Sequence, residues 1–249
     1  MSGHSKFANI KHKKAKTDVK RGKTFTKIGK EIMVATKEGG KDIDFNPRLR
    51  LAVDKAKAAN MPKDNIDKAI KKGAGELDGV EFFEITYEGY APEGVAVLIE
   101  ALTDNKNRTA ASVRSNFTKG GGNLGEPGSV NWMFERKGVI ECLTSNTTEE
   151  QLMDVALESG ADDIEENGDR FTILMDQTKY HDVKKAIEDA GIKYESSEIT
   201  MVPKNLIEVT DEGKAQKVLH LFEALEDNED VQNVYANFDI PDEILEKLL

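Results

Sequence analysis

Apolar residues recur every three or four positions from Phe25 to Ile70, which is the spacing of amphipathic helices, whereas the lysine-rich residues before them show no such stripe. This spacing predicts helices over residues 24–39, 47–61 and 62–73. Asn46 and Pro47 are typical of an N-cap followed by the first helical position, and glycines follow the first and third helices. The N-terminal region is therefore expected to be a small three-helix bundle.

Beyond residue 76 the period of the apolar positions falls to two, as it does in half-buried strands. Strands are predicted near residues 83–87, 95–102 and 130–134. A helix is expected between the second and third of these strands, and it ends at three successive glycines, residues 120–122. The pattern indicates a sheet that carries at least one helix.

Residues 138–201 show a self-contained βαββαβ pattern, in which Asn167–Gly168 is a typical two-residue hairpin turn. The tail after Pro203 adds a strand, a helix and a strand, which with residues 95–134 make a second set of this kind. We therefore predict an α+β protein with an N-terminal three-helix domain plus two ferredoxin-like domains, one inserted into the other. The predicted boundaries are 1–75 for a basic arm and helical bundle, 76–135 plus 204–249 for a split α+β domain, and 136–203 for the inserted α+β domain.

Charge divides the chain at the same place as the change of period. Residues 1–75 hold 17 Lys and 3 Arg against 8 Asp and Glu, a net charge of +12. The remaining residues hold 15 basic and 38 acidic residues, a net charge of −23, so the overall −11 hides a positive segment on a negative body. Such an asymmetry orients a polyanion before contact and indicates a nucleic-acid or anionic membrane partner.

The rest of the composition narrows the class of protein. No run approaches the roughly 18 apolar residues of a membrane span, and the polar N-terminus is not expected to be a secretory signal. The one cysteine and four histidines show no metal-ligand spacing, so we expect no metal or other cofactor, and we expect a reducing, cytoplasmic setting. The glycine-rich segment 119–129 lacks a phosphate-loop motif, and no catalytic constellation or small-molecule site is visible. We therefore expect a protein that is not an enzyme and does not contact a membrane.

Basic side chains are the candidate binding residues, because lysine and arginine donate to phosphate oxygens. Nine of them lie within the 22 positions from Lys6 to Lys27, where Asp18 is the one acidic residue. Lysine cannot read a base edge in bidentate fashion, so we expect affinity rather than sequence discrimination. The predicted nucleic-acid contacts are Lys6, Lys11, His12, Lys13, Lys14, Lys16, Lys20, Arg21, Lys23, Lys27, Arg48, Arg50, Lys71 and Lys72.

A series of motifs between Gly3 and Gly138 closely resembles the YebC/PmpR family. The matching segments are 3–14 (GHSKFANIKHKK), 46–50 (NPRLR), 59–62 (ANMP), 70–75 (IKKGAG), 87–92 (YEGYAP), 103–109 (TDNKNRT), 121–125 (GGNLG) and 134–138 (FERKG). The C-terminal part fits the family in length and pattern. Two positions depart from the family pattern: Phe7 stands where Trp is usual and Glu93 where Gly is usual.

The resemblance implies three domains around a cleft and a DNA-binding transcriptional regulator. It also implies an alternative, because family members, including a mitochondrial translational activator, are linked to ribosomes and to relief of stalling on proline-rich stretches. The residues offer no helix-turn-helix with base-reading side chains, and a lysine arm on an acidic body suits ribosomal RNA at least as well as DNA. A third hypothesis, an acidic protein–protein adaptor, leaves the basic arm unexplained.

Overall fold

Three helices form the N-terminal part of the computed structural model, which describes the backbone of residues 18–248 and the side chains of residues 22–248. They are α1 (Asp18–Gly39), α2 (Pro47–Ala58) and α3 (Lys63–Gly73). Helix α1 begins earlier than its apolar stripe predicts, because the basic residues before that stripe are themselves good helix formers. The bundle buries Ile28, Ile32, Ala35, Leu49, Ala52, Val53, Ala56, Met61, Ile66 and Ala69.

Asn46 fixes the corner between α1 and α2. Its Oδ1 accepts the Leu49 N–H at 3.0 Å, which is the N-cap hydrogen bond that the sequence predicts. Its Nδ2 donates to the carbonyls of Ala35 and Gly40, both at 2.8 Å. Gly73 fixes a second close approach, because a Cβ there would lie 2.5 Å from the Met33 carbonyl oxygen. The Asn46 hydrogen bonds and the close approach at Gly73 therefore fix how the three helices pack.

The rest of the chain is a mixture of strands and helices. Before the insertion come β1 (Phe83–Tyr90), β2 (Ala96–Thr103), α4 (Lys106–Lys119) and β3 (Asn123–Leu124). Then follow β4 (Phe134–Leu143), α5 (Glu149–Leu152) with a π-helical turn at Met153–Leu157, β5 (Asp163–Asn167), β6 (Arg170–Asp176), α6 (Tyr180–Asp189) and β7 (Ser196–Pro203). The tail forms β8 (Ile207–Glu208), α7 (Glu212–Glu226), β9 (Val231–Ala236), β10 (Phe238–Asp239) and α8 (Asp242–Leu248).

Two four-stranded antiparallel sheets organise these elements. The first has the order β3-β1-β2-β9, and its core, which includes Val113, Phe117 and Phe222, contains residues of α4 and α7. The second has the order β5-β6-β4-β7, which is the ferredoxin-like order for a βαββαβ unit. A smaller apolar cluster of Ala96, Leu98, Val130, Phe134 and Tyr235 joins the two sheets.

The α+β class and the helical N-terminal region are confirmed. In the first sheet β1 pairs with β2 along eight residues, while the tail segment after Pro203 forms only the short β8, parallel to β10. The tight connection from Ala91 to Val95 makes the β1–β2 pairing local, and local pairing loses less chain entropy. Strand β4 spans the predicted boundary at residues 135 and 136, and the division into domains stays a prediction.

The alternation at residues 130–134 does not form a strand of the first sheet. A 3₁₀ turn, Asn131–Met133, precedes β4 instead. The N–H groups of Val130 and Asn131 donate to the Glu88 carboxylate, so they are not available for strand pairing. Glu93, where the family usually has Gly, adopts φ 65°, and its carboxylate lies 2.8 Å from Lys214 Nζ. Within residues 18–248 no helix has the length and apolar character needed to cross a membrane.

Candidate nucleic-acid interface

The predicted contacts fall into three groups in the structure. Lys20 and Arg21 lie in the N-terminal turns of α1, where the backbone alone is described. Lys23, Lys27, Arg48, Arg50, Lys71 and Lys72 lie on the three helices with described side chains. Six predicted contacts lie outside the described residues: Lys6, Lys11, His12, Lys13, Lys14 and Lys16.

One face of α1 carries a row of lysines directed at the C-terminal end of α7. We call Lys23, Lys27 and Lys30 the lysine row. Lys27 Nζ donates to the Glu226 carbonyl at 2.6 Å, and Lys30 Nζ donates to the Glu229 carbonyl and the Asp230 carboxylate, both at 2.9 Å. Lys23 Nζ is more distant, at 3.4 Å from the Asp227 carbonyl and 3.7 Å from its carboxylate. The row connects the bundle to the first sheet.

The physical basis of this connection is the set of backbone carbonyls at the C-terminal end of α7. The last carbonyls of a helix lack intrahelical partners and carry the negative end of its dipole, so ammonium groups are favourable there. Burial lowers the pKa of Lys27 to about 8, although Glu226 and Asp227 oppose that shift. Lys27 is therefore a half-buried anchor, whereas Lys23 keeps about a third of its side chain exposed.

Asp230 is the buried carboxylate at the centre of this junction. Besides Lys30, it accepts from Arg108 Nη2 at 2.8 Å and from the Thr109 hydroxyl at 2.8 Å. Burial on its own would raise the pKa of Asp230, but these donors hold that pKa at about 2. The carboxylate stays ionised through the physiological range and joins α1, α4 and the start of β9.

A cleft of about 750 Å³ opens beside Asp230, between α1, α4 and the end of α7. Its charged lining consists of two cations and four carboxylates: Lys30, Arg108, Asp104, Asp227, Glu229 and Asp230. Both cations already bind carboxylates, as the pairs Lys30–Asp230 and Arg108–Asp104 show. This cleft does not suit a phosphate group.

The two predicted arginines on α2 also bind groups of the protein itself. Arg48 donates to Glu31 at 2.9 Å, to Glu38 at 2.6 Å and, through a short contact, to Glu84 of β1. Arg50 donates to the carbonyls of residues 43 and 44, at 3.2 and 2.6 Å. Arg48 thus stabilises the bundle and its attachment to β1, and Arg50 stabilises the segment that precedes α2.

Helices α2 and α3 carry exposed lysines in addition to the predicted contacts Lys71 and Lys72. Lys71 is exposed on α3, whereas Lys72 is half-buried and lines a cavity of about 420 Å³ with Phe82 and Phe83. The additional lysines can be recognised by their exposure in the folded bundle, because they do not form a charge run in the sequence. The additional exposed lysines are Lys55, Lys57, Lys63 and Lys68.

A buried carboxylate organises the glycine-rich loop, which we define as residues 120–131. Glu88 of β1 accepts the N–H groups of Gly128, Val130 and Asn131 at 2.7, 2.7 and 2.8 Å. Burial on its own would raise the pKa of Glu88, but these three donors hold it below its usual value. The loop is therefore fixed to β1 by a charged group. Sequence patterns do not reveal this contact, because Glu88 lies far from the loop along the chain.

Trp132 follows this loop and is exposed. Its side chain keeps 62% of its surface accessible, although tryptophan is usually mostly buried. Its indole Nε1 donates to the Ser129 carbonyl at 3.1 Å, and the Tyr90 hydroxyl donates to the same carbonyl at 2.9 Å. The loop and these hydrogen bonds hold a large aromatic ring at the surface.

The described residues offer little that suits catalysis. Among residues 18–248, no group of three or more His, Cys, Asp or Glu side chains could hold a metal ion. Cys142 is buried, and burial raises the pKa of its thiol to about 11, so the thiol stays protonated near neutral pH. The features that stand out are exposed lysines, ion pairs between the helical bundle and the rest of the chain, and one exposed indole.

These parts define a class of protein: a mixed α+β chain with a basic helical N-terminal region that is fixed to an acidic body. Residues 5–76 match the N-terminal domain of TACO1/YebC proteins, and residues 82–238 match the TACO1/YebC second and third domain. The chain belongs to the TACO1/YebC family.

Relatives of known name and structure agree with this assignment. The chain is 56% identical to a probable transcriptional regulatory protein of Geobacter sulfurreducens and 54% identical to one of Fusobacterium nucleatum, over the full length of both chains in each case. A crystal structure of a conserved hypothetical protein from Aquifex aeolicus is similar, with a TM-score of 0.82 and 50% identity. That match covers 92% of this chain and 95% of the other.

Proposed function

We propose that this protein is a cytoplasmic, non-enzymatic nucleic-acid-binding regulator of gene expression that acts on DNA as a transcriptional regulator. The names of its relatives support regulation of transcription. The division of charge supports a polyanionic partner, because a segment of net charge +12 precedes a body of net charge −23. Residues 1–17 alone hold five lysines and no Asp or Glu.

The observation that carries this proposal is how the cations of the bundle are distributed. Those that face the body are paired with its acidic residues, as in Lys30–Asp230, Lys37–Glu81 and Arg48–Glu84. Other lysines of α2 and α3 are exposed, and the segment 1–17 adds further positive charge. A phosphate backbone would therefore bind these exposed lysines and the N-terminal segment.

The alternative is a ribosome-associated translation factor that contacts ribosomal RNA and relieves stalling on proline-rich stretches. The exposed residues of α3 support this alternative, because they include Asp64 and Asp67 as well as lysines. Carboxylates at these positions do not suit a helix placed in the major groove, where recognition helices present base-reading side chains close to phosphates. Lysines on such a face can still bind the phosphates of a folded RNA.

Charge reversal of Lys11, Lys13 and Lys14 to Glu tests nucleic-acid binding. We expect the affinity for a labelled duplex to fall at least about 100-fold, and the slope of log K against log salt to fall by about 2–3. The matched control reverses three exposed lysines of the body: Lys185, Lys193 and Lys217. Tight binding by the first variant at physiological salt would contradict the proposal.

Sedimentation of cell lysate at moderate salt separates the two targets. Enrichment of the protein on particular promoter DNA, without comigration with ribosomal particles, is the result expected for the transcriptional role. Stable comigration with ribosomal particles would select the translation factor instead.

A further inference from the structure

We propose that Trp132 is a stacking platform for an unpaired base of the bound nucleic acid; this inference rests on the proposed function and adds a contact on the acidic body. The indole is 62% exposed at the end of the glycine-rich loop. Exposed aromatic rings bind single-stranded nucleic acid by stacking on bases, and stacking tolerates any sequence. The base-binding group would then be separate from the lysines that bind phosphate.

The hydrogen bonds of the loop show which part of the indole is free. The single donor of the ring, Nε1, already donates to the Ser129 carbonyl at 3.1 Å. The exposed aromatic surface is therefore the part of the ring left for a ligand, and a flat ring is the ligand that suits it. Glu88 restrains the loop backbone through three N–H groups and the Nε1 hydrogen bond restrains the ring, so less conformational entropy is lost on stacking.

The surroundings of Trp132 favour a base over a protein partner. Apart from Pro127, the exposed neighbours in the loop are polar, including Glu126 and Asn131. A stable protein interface buries roughly 800 Å² on each partner around an apolar centre, which a lone indole does not supply. One stacked base requires only the area of the ring itself.

Charge near Trp132 points to contact with a base and not with a continuous phosphate backbone. Glu126 and Glu135 are exposed within six residues of Trp132 along the chain, and their charges would repel a backbone laid across this segment. Lys204 is exposed on the adjoining segment, where its N–H donates to the Met133 carbonyl at 2.9 Å. A neutral base on the indole with a flanking phosphate near Lys204 fits this arrangement.

Intrinsic fluorescence provides a direct test, because Trp132 is the one tryptophan of the chain. The probes are a labelled 12-nucleotide single-stranded RNA, a single-stranded DNA of the same sequence and the matching duplex DNA. Label anisotropy measures binding, and tryptophan emission measures stacking. We expect both single strands to quench Trp132 emission saturably, at the concentrations at which anisotropy rises, and the duplex to bind with little quenching.

Variants of the ring measure its contribution. Trp132→Ala should weaken single-strand binding about 5- to 100-fold and leave duplex binding unchanged, whereas Trp132→Phe should recover most of the single-strand affinity. Glu88→Gln keeps the ring but loosens the loop, so we expect easier acrylamide quenching of the free protein and an intermediate affinity. Unchanged melting temperatures for the ring variants would exclude unfolding as the cause.

The outcomes separate this inference from the proposed function. If anisotropy shows binding but Trp132 emission and the Trp132→Ala affinity do not change, stacking is wrong and the nucleic-acid role stands. If only one of the two single strands quenches the emission, that strand identifies the source of the base. If no probe binds at physiological salt, the proposed function fails and the stacking inference fails with it.

Discussion

The first sheet carries two attachments of opposite chemical character. The helical bundle is attached through charged groups: the lysine row on the end of α7, and Arg48 on Glu84. The inserted ferredoxin-like sheet is attached mainly through the apolar cluster around Phe134 and Tyr235, to which the Arg136–Glu100 ion pair adds one charged contact. The first attachment depends mainly on salt and on competing anions, whereas the second depends mainly on the burial of apolar surface.

This difference matters for a protein whose proposed partner is a polyanion. Phosphate groups compete with carboxylates for lysines, so a bound nucleic acid can alter the attachment of the bundle. It cannot compete for the side chains of the apolar cluster. We therefore expect the two sheets to behave as one body and the bundle to respond to salt and ligand.

The largest expected effect belongs to the apolar attachment. Phe134 is buried, and Phe134→Ala should lower the free energy of unfolding by about 3–5 kcal/mol, because it removes apolar contacts and leaves a cavity. Urea unfolding at 0.05 and 0.5 M NaCl should give the same loss, and Phe134→Leu should lose less. A loss that depended strongly on salt would contradict the apolar character of this attachment.

The next effect belongs to Asp230. Asp230→Asn should cost about 2–3 kcal/mol near pH 7, because Lys30 and Arg108 lose their buried partner. The native pKa of about 2 lies below the ordinary value of 3.8, so the ionised carboxylate stabilises the fold above about pH 4. That contribution is lost as the pH falls through about 2.

Acid titration of stability measures this contribution. The difference between the native protein and Asp230→Asn should be constant above about pH 5 and should close between pH 4 and 2. Asp227→Asn is the matched control, because Asp227 is largely exposed and should change stability by less than about 0.5 kcal/mol. A difference that persisted at pH 2 would show that Asp230 acts through packing alone.

The same contrast explains what the sequence could predict. The three helices, the Asn46 cap and the βαββαβ unit depend on signals a few residues apart, and the structure contains all of them. The alternation at residues 130–134 predicts a strand that does not form there, because the carboxylate that binds the N–H groups of Val130 and Asn131 is on β1. A side chain so distant along the chain does not change the alternation of apolar and polar residues.

The candidate site was less predictable for the same reason. Lys27 and Glu226 are 199 positions apart, so a charge run could not show that this ammonium is already bound. Trp132 was assigned to a strand because its neighbours alternate, and its exposure follows only from the 3₁₀ turn. The charge division itself was visible in the sequence, because net charge needs no fold.

A smaller effect should separate the two arginines of α2. Arg48→Gln should cost about 1 kcal/mol at low salt, because three carboxylates lose a shared partner, and less than half of that at 0.5 M NaCl. Arg50→Gln is the control, because Arg50 donates to neutral carbonyls, and its cost should not depend on salt. Equal salt dependence for both variants would contradict the distinction between the charged contacts of Arg48 and the neutral contacts of Arg50.

The smallest expected change in stability separates two members of the lysine row. Lys23→Gln should change stability by less than about 0.5 kcal/mol, because its ammonium is 3.7 Å from Asp227 and partly exposed. If Lys23 binds a phosphate, this variant should reduce the slope of log K against log salt by about 0.9 for duplex DNA. Lys27→Gln should leave that slope unchanged and cost more stability, because Lys27 is held by the Glu226 carbonyl. Equal slopes for the two variants would mean that position along α1, and not the contact with α7, decides which lysine reaches the nucleic acid.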